Sequence, residues 1–184
     1  PYTLNLPKKY SAPCPLGSFM ADCMPHTANA DAAFISTGFL MKPMDYKPHT
    51  YITNYLFRKT MIADTPVKKV NLSAEELKSV FDNALRTHGY GYSNPRFLQC
   101  SNNIKIIGRN NLSAGQFQVR QIYINGTPIL DNHGIPIKSS RRYKCVIDSF
   151  IADGGQGFET LKNASKLDVI INGRPIKNNE ILRN

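Results

Sequence analysis

Residues 150–158, Phe-Ile-Ala-Asp-Gly-Gly-Gln-Gly-Phe, set three glycines between two phenylalanines directly after the strand-like run 143–147. Glycine lets a backbone take positive φ and approach a ligand closely, so the segment can form a tight loop carrying an aromatic platform. A ring beside bare backbone suits the flat face of a nucleobase. The competing reading is a glycine turn that joins a strand to a short helix, with both rings in the core. Asp153 fits either, as a pocket carboxylate or as a turn residue.

Reactive constellations are otherwise missing. The histidines His26, His49, His88 and His133 stand apart, and no H-E-x-x-H or G-x-S-x-G arrangement occurs. Asp131-Asn132-His133-Gly134 contains an Asn-His pair, but one such triplet cannot build a two-metal centre, which needs several carboxylates and imidazoles. It reads as a turn. Cys14, Cys23, Cys100 and Cys145 show no C-x-x-C spacing, which argues against structural zinc. No catalytic residue and no metal ligand is assigned, and an independent enzyme lacks a nameable nucleophile–base pair.

The 184 residues, 41% hydrophobic and 20% charged, suit a single domain spanning 1–184 that buries its own core. A net charge of +10 points to anionic partners: nucleotides, or a polyanion. Most basic pairs read as solvated faces; the run 138–142, Lys-Ser-Ser-Arg-Arg, stands out because it precedes the glycine loop. No run of about 18 apolar residues is present, so no transmembrane segment is expected. Sequons at Asn71, Asn111, Asn125 and Asn163 agree with export, and a chain beginning at Pro1 reads as a mature or excised product or as a segment boundary. The expected location is extracytoplasmic: secreted, periplasmic or surface-associated.

The elements that must position the loop alternate between helical and extended patterns. A short helix is expected around residues 16–23, a buried strand over Ala32–Ser36 and a second strand over Val67–Leu72. Residues 73–85 carry the clearest helix signal: Ser73 and Glu76 form a capping box, and Leu77, Val80, Phe81, Ala84 and Leu85 line one face. Residues 88–95 read as a loop, 97–108 and 118–124 as strands, and Asn125-Gly126 as a primed hairpin turn, a device repeated at Asn172-Gly173. The sum is an α/β (α+β) chain with mixed sheets.

Four segments, in order, carry a family resemblance: Leu16-Gly17-Ser18-Phe19-Met20-Ala21-Asp22, the strand and helix of residues 69–82, Phe97-Leu98-Gln99-Cys100-Ser101, and the glycine loop. Together they resemble the C-terminal, substrate-recognition domain of the 5′-nucleotidase and UDP-sugar hydrolase family, with the loop similar to its F-x-A-x-G-G-D-G-F motif. The resemblance implies a four-layer α/β/β/α sandwich that stacks a nucleobase and grips the ribose. The divalent metals and the hydrolytic chemistry would sit in an N-terminal metallophosphoesterase domain, supplied by another domain or chain, so no phosphatase activity is expected of this chain alone.

Carried over residue by residue, the resemblance makes Phe150 a stacking ring, places Gly154 and Gly155 in the backbone loop with Phe158 closing it, and makes Gly38 the retained glycine of a second loop. Gln156 stands where the family has an Asp that accepts from ribose hydroxyls, which gives up a charge-assisted bond roughly twice as strong as a neutral one. The segment 36–41 replaces N-G-G-G-I-R, so a pocket Arg becomes Met41; a second Arg falls near Ala30, and the second stacking ring falls at Ala63. Phe39, Phe57, Tyr90 and Tyr92 are candidate replacement rings. Two functions follow: nucleotide recognition for a 5′-nucleotidase-type hydrolase in nucleotide catabolism, or a non-catalytic binding protein whose altered pocket or basic surface holds another small ligand, a polyanion or a protein.

Overall fold

The structure is a computed structural model that describes residues 13–40, 51, 53, 55, 65–86, 96–111, 116–177 and 180. The first helix, α1 (Pro15–Ala28), starts with Pro15 inside its first turn and Cys14 as its cap, whose Sγ accepts from the Gly17 amide at 3.3 Å. It runs well past the expected 16–23: Pro25 falls in the last turn, and the helix ends at Asn29, which takes the left-handed conformation. Gly17 is required here because a Cβ would lie 2.5 Å from Gln99 Cγ. The buried Gln99 amide returns the favour of space by accepting from the Cys14 N–H at 2.8 Å.

Five strands form the central sheet: β1 (Ala32–Ser36), β2 (Val67–Leu72), β3 (Leu98–Cys100), β7 (Tyr143–Asp148) and β8 (Lys166–Asp168), in the order β3-β1-β7-β2-β8. β1 and β7 are parallel, with Phe34 opposite Ile147, and the other pairings are antiparallel, so the sheet is mixed. β1 is buried along its whole length, and its side chains alternate between two cores. Ala33 and Ile35 meet α1 together with Val67 and Val146. Ala32 and Phe34 face the larger core, shared with the helix α2 (Ala74–Leu85) and a second sheet. The T-shaped Phe34–Phe81 pair, 5.5 Å between centroids, adds about 0.5–1.5 kcal/mol beyond its burial.

α2 carries the expected capping box: Ser73 Oγ accepts from the Glu76 N–H at 3.2 Å, and Glu76 Oε2 accepts from the Ser73 N–H at 2.7 Å. The second sheet is β4 (Ile104–Asn111), β5 (Gln116–Ile124) and β6 (Thr127–Pro128), antiparallel throughout. The expected strand 97–108 is therefore two strands, broken at Ser101–Asn103. Ser101 Oγ there donates to Asn103 Oδ1 at 2.6 Å and accepts from the Ala33 N–H at 3.0 Å. Asn125 and Gly126 have φ of 51° and 75°, and Asn172 and Gly173, between β9 (Ile170–Ile171) and β10 (Arg174–Pro175), have 52° and 74°. Both are primed turns, as the Asn-Gly pairs require. A one-turn helix α3 (Ser149–Ala152) follows β7, and α4 (Glu159–Asn163) follows the glycine loop. The fold is mixed α/β with a mixed sheet plus further sheets.

Candidate functional site

Because β1 and β7 are adjacent and parallel, their carboxyl ends open side by side, the place where sheets of this kind leave a crevice. β1 runs into a 3-10 turn, Thr37–Phe39, and β7 runs into α3 and the 3-10 turn Gly155–Gly157. Asp148 ties the two together. Its Oδ2 accepts from the Ser36 N–H at 2.9 Å, and its Oδ1 caps α3 by accepting from the Ile151 N–H at 3.1 Å. Burial pushes its carboxyl up to about 6, because the desolvation of the charge outweighs the backbone N–H bonds that favour it.

Gln156 links the glycine loop to the turn after β1. Its Oε1 accepts from Ser36 Oγ at 3.3 Å, and Ser36 Oγ in turn accepts from the Gly38 N–H at 3.2 Å. The backbone of Gln156 is left-handed, with φ of 57°. The other described non-glycine residues at positive φ are all asparagines, whose short amide eases that conformation, so Gln156 is held there at a cost of about 1–2 kcal/mol. What holds it is Arg96, whose Nε donates to the Gln156 carbonyl at 3.0 Å, together with the Ser36 bond.

Phe150 is 46% exposed. Its ring lies against Gly155, where a Cβ would sit 2.7 Å from Cζ and 2.6 Å from the Phe150 carbonyl oxygen. The ring thus rests on bare backbone and leaves part of its surface to solvent, since Ile151 and Ala152 take the inward positions of α3. Gly154, at φ of 91°, turns the chain beside the Lys162 side chain. Of the expected site residues, Phe150, Gly154, Gly155, Gln156 and Gly38 therefore come together at one end of the sheet. Phe158 does not join them: it is 1% exposed and packs in the larger core.

Ala30 lies at the opposite end of β1, against a polar cleft of about 430 Å³ shared with Asp22, His26, Asp31 and Asn103. Met41, Ala63, Phe57, Tyr90, Tyr92 and the side chain of Phe39 lie outside the described residues. The run 138–142 sits at the other end of β7 from the glycine loop: Arg142 pairs with Glu76 at 2.8 Å, and Arg141 stacks 5.0 Å from the Tyr143 centroid. Asp131 does form a turn, its Oδ1 accepting from the His133 and Ile135 amides at 2.8 and 2.9 Å.

Sequence reasoning missed Asp148, Ser36 and Arg96 as individual contributors. Asp148 had a local signal, an acid at a strand end three residues before Ile151, the spacing of a helix cap. Arg96 had none. The cysteines are free thiols, and burial pushes Cys100 up to about 12 and Cys145 higher, so neither is a thiolate at neutral pH. Among the described residues no three His, Cys, Asp or Glu side chains assemble to hold a metal. What this end of the sheet offers is hydrogen-bonding groups and a half-exposed ring.

Comparison with known proteins bears on the fold. The 5′-nucleotidase, C-terminal domain family matches residues 3–163. The chain is similar in structure to a 5′-nucleotidase precursor from Thermus thermophilus, at 20% identity and a TM-score of 0.71, over 97% of this chain and 34% of that one. It is similar to the NAD nucleotidase of Haemophilus influenzae at 13% identity and 0.72, over 99% and 33%. A putative 5′-nucleotidase from Staphylococcus aureus matches at 13% identity and 0.67, over 99% and 36%. The chain thus spans about a third of the length of these structures. No curated protein matches it. The family match over residues 3–163, together with the shared fold, means that this chain belongs to the 5′-nucleotidase C-terminal domain family.

Proposed function

We propose that this chain is the recognition domain of a 5′-nucleotidase-type hydrolase. It binds a nucleoside or nucleotide in the crevice between the turns after β1 and β7, and a metallophosphoesterase domain or chain supplies the metals and the hydrolysis. The observation that carries the reading is the placement of a half-exposed Phe150 on bare glycine backbone beside the Ser36–Gln156 hydrogen bond. A ring stacks a base, and an adjacent amide and hydroxyl bond a ribose.

The location consistent with this role is extracytoplasmic. The sequon residues Asn71, Asn125 and Asn163 are exposed, and no described helix is long and apolar enough to cross a membrane.

Calorimetric titration of the chain with adenosine, AMP and a UDP-sugar tests the binding half of the proposal. Saturable binding of at least one is expected, and a folded chain that binds none of them overturns it. Purification of the protein from its source, followed by assay for an accompanying metallophosphoesterase, tests the other half. A second reading, a non-catalytic binding protein, is favoured by one feature: Gln156 puts a neutral amide where the family motif has a carboxylate, weakening the hold on an ordinary ribose.

A further inference from the structure

Charge is unevenly distributed along this chain. Between residues 102 and 147 there are seven Lys or Arg against a single acid, Asp131, so most of the net +10 resides in about a quarter of the length. Asp131 keeps its charge within its own loop, where its carboxylate accepts from the His133 and Ile135 amides. Four of the seven cations lie at 138–144, and the other three stand on the hairpin β4–β5. Its inner face, Ile104, Val119, Ile122 and Ile124, is buried in the core. Its outer face presents Lys105, Arg109 and Arg120, with Gln118 beside them, all exposed, and no carboxylate occurs on either strand. None of the three cations is in a salt bridge among the described residues, whereas Arg142 is paired with Glu76.

The pairing places these groups in a line. Lys105 is opposite Tyr123, Ile107 opposite Gln121 and Arg109 opposite Gln118. The register shift between Ile107 and Gly108 leaves an extra residue on β5, and Arg120 stands exposed beside the Arg109 end. Lys105 and Arg109 are four residues apart on one strand face, about 13 Å. A single small anion cannot span that distance, but a linear polyanion can.

We propose that this outer face binds a linear sulfated polysaccharide. A single-stranded nucleic acid would need open rings on which to stack. Among the described residues the one ring on the face, Tyr123, is half-buried, and the Lys105 ammonium lies 5.9 Å from its centroid. An anionic membrane would need an apolar cluster to enter the headgroup layer, and among the described residues of the two strands Ile107, 42% exposed, is the one exposed large apolar side chain. Sulfates spaced along a hydroxyl-rich chain match cations outside any salt bridge, flanked by the exposed Gln118 amide. This surface is separate from the crevice, so failure of nucleosides to bind leaves it standing.

Two triple variants of the chain test the proposal: Lys105→Gln, Arg109→Gln, Arg120→Gln on the hairpin, and Lys138→Gln, Arg141→Gln, Lys144→Gln as a control with the same loss of charge. A heparin oligosaccharide is expected to bind the hairpin variant at least tenfold more weakly than the parent and the control less than threefold more weakly, with a shallower salt dependence only for the hairpin variant. On the unaltered chain, heparin should also protect Lys105 from acetylation and leave Lys144 reactive, a readout independent of variant folding. Equal weakening in both variants, protection of Lys144 instead of Lys105, or tighter binding of single-stranded DNA or of phosphatidylserine vesicles than of heparin overturns it.

Discussion

The Ser36 amide donates to Oδ2 of Asp148 at 2.9 Å, and this one bond joins the ends of two parallel strands that are 112 residues apart in sequence. Asp148 gives its other oxygen to the cap of α3, the turn that carries Phe150. The turns that follow β1 and β7 are thus fixed to each other through one buried carboxyl group.

That arrangement predicts a pH effect of known sign. The folded chain raises Asp148 from near 4 to about 6, so folding favours its protonated form. The associated stability is fully present below about pH 4 and is lost as pH rises through 6. Asp148→Asn keeps a neutral group in place. Relative to the parent, its unfolding free energy should improve by on the order of 2–3 kcal/mol between pH 4 and pH 7.5, measured by urea denaturation. Parallel pH profiles for the two proteins would sink this assignment. Asp148→Ala leaves two amides unpaired and should cost about 2–4 kcal/mol at pH 4, and less at pH 7.5, where the parent has lost the Asp148-linked stability.

Gly155 is predicted to be irreplaceable by alanine. The new Cβ would meet the Phe150 carbonyl at 2.6 Å, and a backbone atom cannot swing aside as a flexible side chain can. Gly155→Ala should cost about 1–3 kcal/mol in urea unfolding. A change below 0.5 kcal/mol would mean that the ring does not lie on the glycine.

Gln156 is the residue at which the family motif is altered, and the alteration should be reversible. Gln156→Asp restores a charged acceptor toward ribose hydroxyls, a gain of about 1 kcal/mol, or roughly fivefold in Kd for adenosine by calorimetry. Unchanged or weaker affinity would show that the side chain at 156 does not face the sugar.

The sequence made some of this fold legible and hid the rest for physical reasons. Ser73 and Glu76 announced the start of α2, and Asn125-Gly126 and Asn172-Gly173 announced two turns, because caps and left-handed turns are local chemistry. The extent of α1 was hidden: Pro25 looks like a break, yet in the last turn it costs little, and tertiary burial of Met20, Met24 and Ala28 carries the helix onward. The glycine loop's sequence could not separate its two rings. Phe150 and Phe158 have the same chemistry, and only packing sends one to the surface and the other to the core. Nor could local sequence pair Ser36 with Asp148 or Arg96 with Gln156, since both contacts depend on strand order.

The central claim is that Phe150 is a base-stacking platform. Calorimetric titration of adenosine into the unaltered chain and into Phe150→Ala measures it directly. The exposed side of the ring contributes little to the core, so the variant should remain folded, with the same circular dichroism. The predicted loss of one stacking contact is about 1–3 kcal/mol, a 5- to 150-fold weaker Kd. A folded Phe150→Ala that binds adenosine as tightly as the parent would contradict the account.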